Sequence, residues 1–200
     1  MKKTILKLVA VSTLALSLVA ITTPQSKASA ATTHQVTSGD TLWLIGKKHG
    51  VPVKTLMSVN KKSSHLLLVG EKLTIPESLS SADRDLLARL VHAEAKGEPY
   101  AGKVAVATVV LNRVDSSLFP NNVKDVIYQN VQGAYAFTPV QNGTINQPAD
   151  AEAKEAVKEA LSYRGMGHKS LYFYNPKTAK SDWIKTRKVT LTIGNHRFAK

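Results

Sequence analysis

The 200-residue chain contains no cysteine. It therefore has neither disulfides to hold a small fold together nor a thiol nucleophile, and stability must come from an apolar core. No G-x-S-x-G stretch occurs, which removes the usual setting of a serine nucleophile. No H-E-x-x-H occurs either: His92 and Glu94 are two apart with no second histidine four residues on, and His168 and His196 lie far off in sequence. No resident metal or cofactor is expected. Aromatic residues make up only 6% of the chain. Acids are scarce as well, with 14 Asp and Glu against 27 Lys and Arg, a formal net charge of +13.

Long apolar runs are absent but for one near the start. Met1-Lys2-Lys3 and Lys7 precede an uncharged stretch from Leu8 to Thr23, followed by Pro24 and Lys27-Ala28-Ser29-Ala30-Ala31. The stretch is shorter than the ~20 residues a membrane span needs. A basic start, a short apolar segment and an A-x-A site form the pattern of a secretory leader, residues 1–30, cut after Ala30. Without its four lysines the net charge falls from +13 to +9. Such a charge attracts polyanions, though it also fits a merely solvated surface. Export argues against nucleic acid, and no stable membrane insertion is expected once the leader is removed. The carboxylates and phosphate polymers of a bacterial wall remain as partners, for a secreted, wall-associated monomer.

Two segments then differ in character. Residues 34–76 read β-α-α-β: a strand start at His34-Gln35-Val36, a turn and cap at Ser38-Gly39-Asp40, a helix from Thr41 to His49 stopped by Gly50, a second from Pro52 to Asn60 entered through proline, and a strand Lys72-Leu73-Thr74-Ile75 closed by Pro76. Residues 77–82 are polar and Ser-rich, a short linker. From Asp83 the period becomes helical: Leu86, Leu87, Leu90, Val91 and Ala95 share a face up to Gly97-Glu98-Pro99. Gly102 to Val114 is apolar on most sides and hence a buried helix. Asn121 to Gln129 and Ala149 to Tyr163 are further helices. Leu171-Tyr172-Phe173-Tyr174 and Val189 to Ile193 read as strands that could pair. Residues 83–200 are thus an α+β domain, helices first and a small sheet late.

Within this domain Glu94 and Glu98, four apart, should share a helix face near its C-terminal end. Negative charge is disfavoured there by the helix dipole. Beside apolar Leu90 and Val91, one of the two could stay protonated near neutral pH, as leaving-group protonation in glycosidic cleavage requires. A solvated Glu–Lys surface at a helix end is the competing reading. Tyr135, Phe137, Tyr172 and Tyr174 are candidate sugar-stacking rings, with burial in the core as the alternative.

Two resemblances sharpen this picture. Val36-Thr37-Ser38-Gly39-Asp40-Thr41-Leu42-Trp43, Asn60 and Val69-Gly70-Glu71-Lys72-Leu73-Thr74-Ile75-Pro76 resemble the LysM family along the whole of 34–76. That implies binding of N-acetylglucosamine-containing glycans such as peptidoglycan, with the groove mapping onto Gly39, Asp40, Thr41, Leu42 and, less directly, Leu66 and Leu67. Trp43 reads as core. Residues 84–198 resemble the catalytic domain of the spore cortex-lytic type of cell wall hydrolase. Four stretches carry this: Leu87 to Tyr100; Val110-Leu111-Asn112-Arg113-Val114 with Phe119-Pro120 and Val126-Ile127-Tyr128; Phe137 to Ile145; and Tyr172-Phe173-Tyr174-Asn175-Pro176 with Trp183, Ile193-Gly194 and His196-Arg197-Phe198. The resemblance implies a lysozyme-like fold and a catalytic acid at the first glutamate of H-A-E-x-x-G-E, which is Glu94. Ala136 and Met166 to Ser170 depart from the family pattern. The partner implied is the N-acetylglucosamine/N-acetylmuramic acid strand of peptidoglycan, in the vegetative wall or the spore envelope and its germination. One acid suits a lytic transglycosylase; a muramidase would need a second carboxylate, for which Glu98 is the nearest candidate. A wall-binding protein that does not cleave, and an amidase or peptidase, are the other classes.

Overall fold

The computed structural model describes residues 32–200, so the leader and its Ala30–Ala31 site lie outside the described residues. The first unit is β1 (Thr32–Gln35), α1 (Leu42–His49), α2 (Val53–Val59) and β2 (Lys72–Ile75). β1 and β2 pair antiparallel, Thr32 opposite Ile75. Strand alternation turns Leu73 and Ile75 inward and Lys72 and Thr74 outward. They close on Val36, Leu42, Ile45, Val51, Val53 and Leu56, a core separate from that of the second unit. Asn60 ties α2 to β2, donating Nδ2 to the Leu56 and Thr74 carbonyls and accepting from Thr74 N.

The second unit contains α3 (Ser81–Glu94), α4 (Tyr100–Val114), α5 (Val123–Ile127), the two-residue strands β3 (Asn130–Val131) and β4 (Ala134–Tyr135), α6 (Thr138–Gln141), a 3-10 turn (Thr144–Asn146), α7 (Ala151–Ser162), β5 (Tyr172–Tyr174), α8 (Asp182–Lys185), β6 (Val189–Ile193) and β7 (His196–Ala199). α4 is central, with Val106, Ala107, Val109, Val110 and Leu111 all buried, and it packs on α7 and α3. The late sheet has the order β5-β7-β6. The two expected strands are therefore not neighbours; β7 lies between them and sends Phe198 into the core.

α3 begins inside the expected linker. Ser80 accepts from Asp83 N as its cap, and the Ser78 hydroxyl donates to the Gly50 carbonyl. The two units are not loosely strung, because α1 lies along α7. Gly46 allows the approach: a Cβ there would come 2.7 Å from the Val51 carbonyl oxygen and 3.4 Å from the Ser162 side chain. Beside it Lys47 pairs with Glu159 at 2.5 Å, and Tyr100 donates to the same carboxylate at 2.9 Å. Trp43, half-buried, meets Tyr163 at 6.1 Å between ring centroids, so it belongs as much to this junction as to the first core.

Candidate active site

α3 stops at Glu94. Ala95 caps it, and the chain then turns through Gly97 at φ +82, a left-handed backbone that glycine adopts without a Cβ clash. The early stop corrects the expectation that Glu94 and Glu98 share a helix face. Glu98 lies past the helix end, and its carboxylate reaches the β6–β7 turn. There Oε2 accepts from Asn195 N and Oε1 from Asn195 Nδ2, both at 3.0 Å. Burial pushes Glu98 upward, but the Asn195 side-chain and backbone donors, helped by His196, outweigh it and hold the group below its ordinary range.

Glu94 instead faces a cleft of about 300 Å³. His92, Ala93, Glu94 and Lys96 from the end of α3 form one wall; Thr138, Pro139, Asn142, Thr144 and Gln147 form the other. The cleft exists because α6 and the 3-10 turn pack back against α3, anchored by Ile145 in the core and by Arg89 donating to the Ile145 carbonyl. His92 is held by Asp150, Nδ1 to Oδ2 at 3.0 Å, while the other oxygen of Asp150 caps α7 by accepting from Ala153 N.

Desolvation dominates the chemistry of Glu94. Burial pushes its carboxyl up to about 7, against the pull of the Arg113 guanidinium and the Thr138 N–H, both of which favour the carboxylate. At neutral pH the group is thus poised between acid and base, the condition for a proton donor that must also accept one. Glu94 is the one acid among the described residues lining the cleft. Among the described residues no cluster of His, Cys, Asp and Glu could hold a metal ion.

The four candidate stacking rings separate. Phe137 is 3% exposed and Tyr174 8%, so both belong to the interior rather than to a sugar surface. Phe137 lies between Arg113 and Phe173. Tyr172 is half-buried against Phe119 and Trp183. Tyr135 stands on the β3–β4 hairpin, 42% exposed. Of the residues mapped to the first unit's groove, Gly39 and Thr41 are exposed. Thr41 caps α1 by accepting from Leu44 N, and Asp40 accepts from Thr37 N, Thr37 Oγ1 and His34 Nε2. Leu42 is 1% exposed, so its side chain belongs to the core and only its backbone could meet a ligand. Leu66 is 70% exposed on the α2–β2 loop, while Leu67 packs on the core.

His92, Arg113 and Thr138 all fall in the stretches that carry the family resemblance, but nothing in their residue types alone points to the cleft: Arg113 is marked only as a cation in the last turn of a largely apolar helix, and the part of Thr138 is played by a backbone N–H.

The cell wall hydrolase family model matches residues 97–199, and the LysM domain model matches residues 34–76. The chain is 43% identical over 128 residues to a spore cortex-lytic enzyme of Oceanobacillus iheyensis, covering 64% of this chain and 45% of that protein. It is 44% identical to the spore cortex-lytic enzyme of Bacillus subtilis, covering 62% of this chain and 39% of that one. It thus spans less than half the length of these curated relatives. Among solved structures it resembles the catalytic domain of the germination-specific lytic transglycosylase SleB from Bacillus anthracis, with a TM-score of 0.57 and 43% identity, covering 63% of this chain and all of that one. The catalytic domain of the Bacillus cereus SleB protein matches at a TM-score of 0.54 and 43% identity, covering 62% of this chain and 94% of that one. An α+β chain carrying a LysM domain and this match across half its length belongs to the cell wall hydrolase family.

Proposed function

We propose that this protein cuts the glycan strand of peptidoglycan by a lytic transglycosylase reaction in which Glu94 serves as acid and then as base. The observation that carries the reading is the single carboxyl in the cleft, half-buried and held near neutrality while Glu98 is engaged by Asn195. The Glu94 O–H gives its proton to the glycosidic oxygen as the bond from that oxygen to the muramyl anomeric carbon breaks. The carboxylate then takes the proton of the same sugar's 6-hydroxyl, whose oxygen closes on the anomeric carbon. A 1,6-anhydro ring forms, Glu94 is reprotonated, and no water is consumed. A hydrolase would need a second carboxylate to activate water or to attack, and the candidate for that part lies past the end of α3, bound to another element.

The LysM domain serves this reaction by holding the enzyme to glycan, and the sequence-derived charge of +9 after leader removal adds attraction to anionic wall polymers. Residues 1–30 act as the export leader, 34–76 as the wall-binding module and 83–200 as the catalytic domain of a secreted, wall-associated monomer. Among the described residues no helix is long and apolar enough to cross a membrane.

Digestion of purified peptidoglycan followed by mass spectrometry tests the proposal. Muropeptides ending in 1,6-anhydro-N-acetylmuramic acid, one water lighter than hydrolysed ones, are expected from the native protein and none from Glu94→Gln. Reducing muramic acid ends would establish a hydrolase, and full activity in Glu94→Gln would displace the site.

A further inference from the structure

Arg113 is a buried charge with no acid of its own. It is 7% exposed, in the last turn of α4. None of the ion pairs among the described residues includes it. Its guanidinium is caged by three rings, with the central carbon 5.0 Å from the Phe119 centroid, 4.9 Å from Phe137 and 5.6 Å from Tyr172. Nε donates to the Leu171 carbonyl at 2.7 Å. Taking a cation out of water is costly, and aromatic faces and one carbonyl offset only part of that cost. A packing role alone would be filled at less expense by an apolar side chain. Arg113 lies against the Phe137 ring, and the next residue, Thr138, lines the cleft opposite Glu94. No ion pair joins Arg113 and Glu94, but across this short span each favours the ionised form of the other.

We propose that Arg113 is a positioning residue for Glu94: its caged, acid-free guanidinium supplies the positive charge that lets Glu94 stand as a carboxylate between giving a proton and taking one. The inference rests on the acid–base reading of Glu94 given above. In that reading the carboxylate is an intermediate state inside a buried site, where desolvation opposes it. Burial alone would make Glu94 a good acid and a trapped one. A fixed cation behind it lowers the cost of the ionised state without a second acid that could compete for the proton. The other groups on this corner are His92, paired with Asp150, and Lys96, which is exposed to solvent, both on the cleft wall with Glu94; α6 contributes the Thr138 N–H, β5 the Tyr172 ring, and Glu98 is held by Asn195. The three rings keep the guanidinium dry, so that its charge is little screened.

Two substitutions separate charge from shape. Arg113→Gln can keep a donor to the Leu171 carbonyl but removes the charge. Arg113→Lys keeps the charge and loses the planar fork. With Arg113→Gln, turnover should fall by about 10²-fold or more, the scale of losing one preorganised electrostatic group. The alkaline limb of the pH profile, which reports loss of the Glu94 proton, should move to higher pH. Arg113→Lys should keep the limb near its native position. A second readout needs no substrate. The pH at which folding stability falls as Glu94 ionises can be obtained by comparing each Arg113 variant with its Glu94→Gln double, and in Arg113→Gln it should move upward. If that fall moves while no anhydro product is ever formed, the charge coupling stands and the transglycosylase reading fails. A folded Arg113→Gln protein whose limb and stability profile both stay put would reduce Arg113 to a staple between α4 and β5. Should Arg113→Gln not fold, Arg113→Lys decides: a native limb supports the proposal, and a limb displaced upward despite the retained charge overturns it.

Discussion

Replacing Glu94 by glutamine should stabilise the protein, and only above a definite pH. The carboxyl is protonated up to about 7 in the folded chain, against the ordinary glutamate value of 4.5 that holds when the chain is unfolded. Between those values the native state carries a proton that the unfolded state has lost. Stability therefore falls as pH rises, by about 1.4 kcal/mol per pH unit for one group. The full stability is present below pH 4.5, the loss accumulates through pH 7, and above that it levels off at about 3 kcal/mol. That is a sizeable part of the 5–15 kcal/mol typical of a folded domain. Glutamine has nearly the same shape and cannot ionise, so the variant should match the native protein near pH 4 and exceed it by about 3 kcal/mol at pH 8. Urea midpoints measured in parallel from pH 4 to 8 give the difference directly, and the slope of each transition verifies that both unfold alike. A difference that stays flat across this range would refute the argument, because a solvent-exposed Glu94 has no proton to defend. The same variant should lose cleavage, so gain in stability and loss of function would come from one atom pair.

Other expectations follow from neighbouring contacts. Glu98→Gln should keep part of the Asn195 clasp and cost less than about tenfold in turnover; activity as low as in Glu94→Gln would favour a two-carboxylate hydrolase. Lys47→Ala with Glu159→Ala should uncouple α1 from α7, and calorimetry of the full chain should then show two transitions in place of one. Asp40 accepts three hydrogen bonds, chiefly from His34, which hold its carboxyl down at about 2, below the ordinary 3.8. Its contribution is present above pH 3.8 and lost as pH falls through about 2, so glycan pull-down should survive at pH 4 in the native protein and weaken in Asp40→Ala.

Much of the molecule is legible in the amino-acid order, for reasons that differ from place to place. Helices α3, α4 and α7 show themselves because each keeps a long apolar stripe at helical period. The β-α-α-β unit shows itself because caps and breakers such as Thr41, Gly50 and Pro52 stand where the chain turns. The β3–β4 hairpin and α6 are not legible: elements of two and four residues have no room for a period, and the turn at Gln132-Gly133 takes its shape from left-handed backbone angles. The sheet order is hidden for another reason. β5 and β6 advertise themselves as strands, but the partner that joins them is His196–Ala199, where His, Arg and Ala replace the β-branched and aromatic run that marks the other two. At the site, Glu94 stands out by its neighbours in sequence. Glu98 misleads, because spacing of four implies a shared face only while the helix continues, and Gly97 ends that condition.

The docking of α1 on α7 changes what a glycan-binding module contributes. On a flexible tether, a second binding site raises local concentration by an amount set by tether length. Here Gly50 and Ser78 bind each other across the junction, Trp43 meets Tyr163, and Lys47 sits between Trp43 and Tyr100 while pairing with Glu159. The ordering of the two modules is thus completed on folding and is not charged again when glycan binds. A rigid pair is also selective. It gains from two contacts only on glycan whose geometry presents both at once, and gains nothing where the spacing is wrong. Tyr100 opens the helix whose last turn holds Arg113, and its hydroxyl closes the junction on Glu159. Through α4, one residue of the LysM junction and the ring-caged Arg113 are carried on a single buried helix.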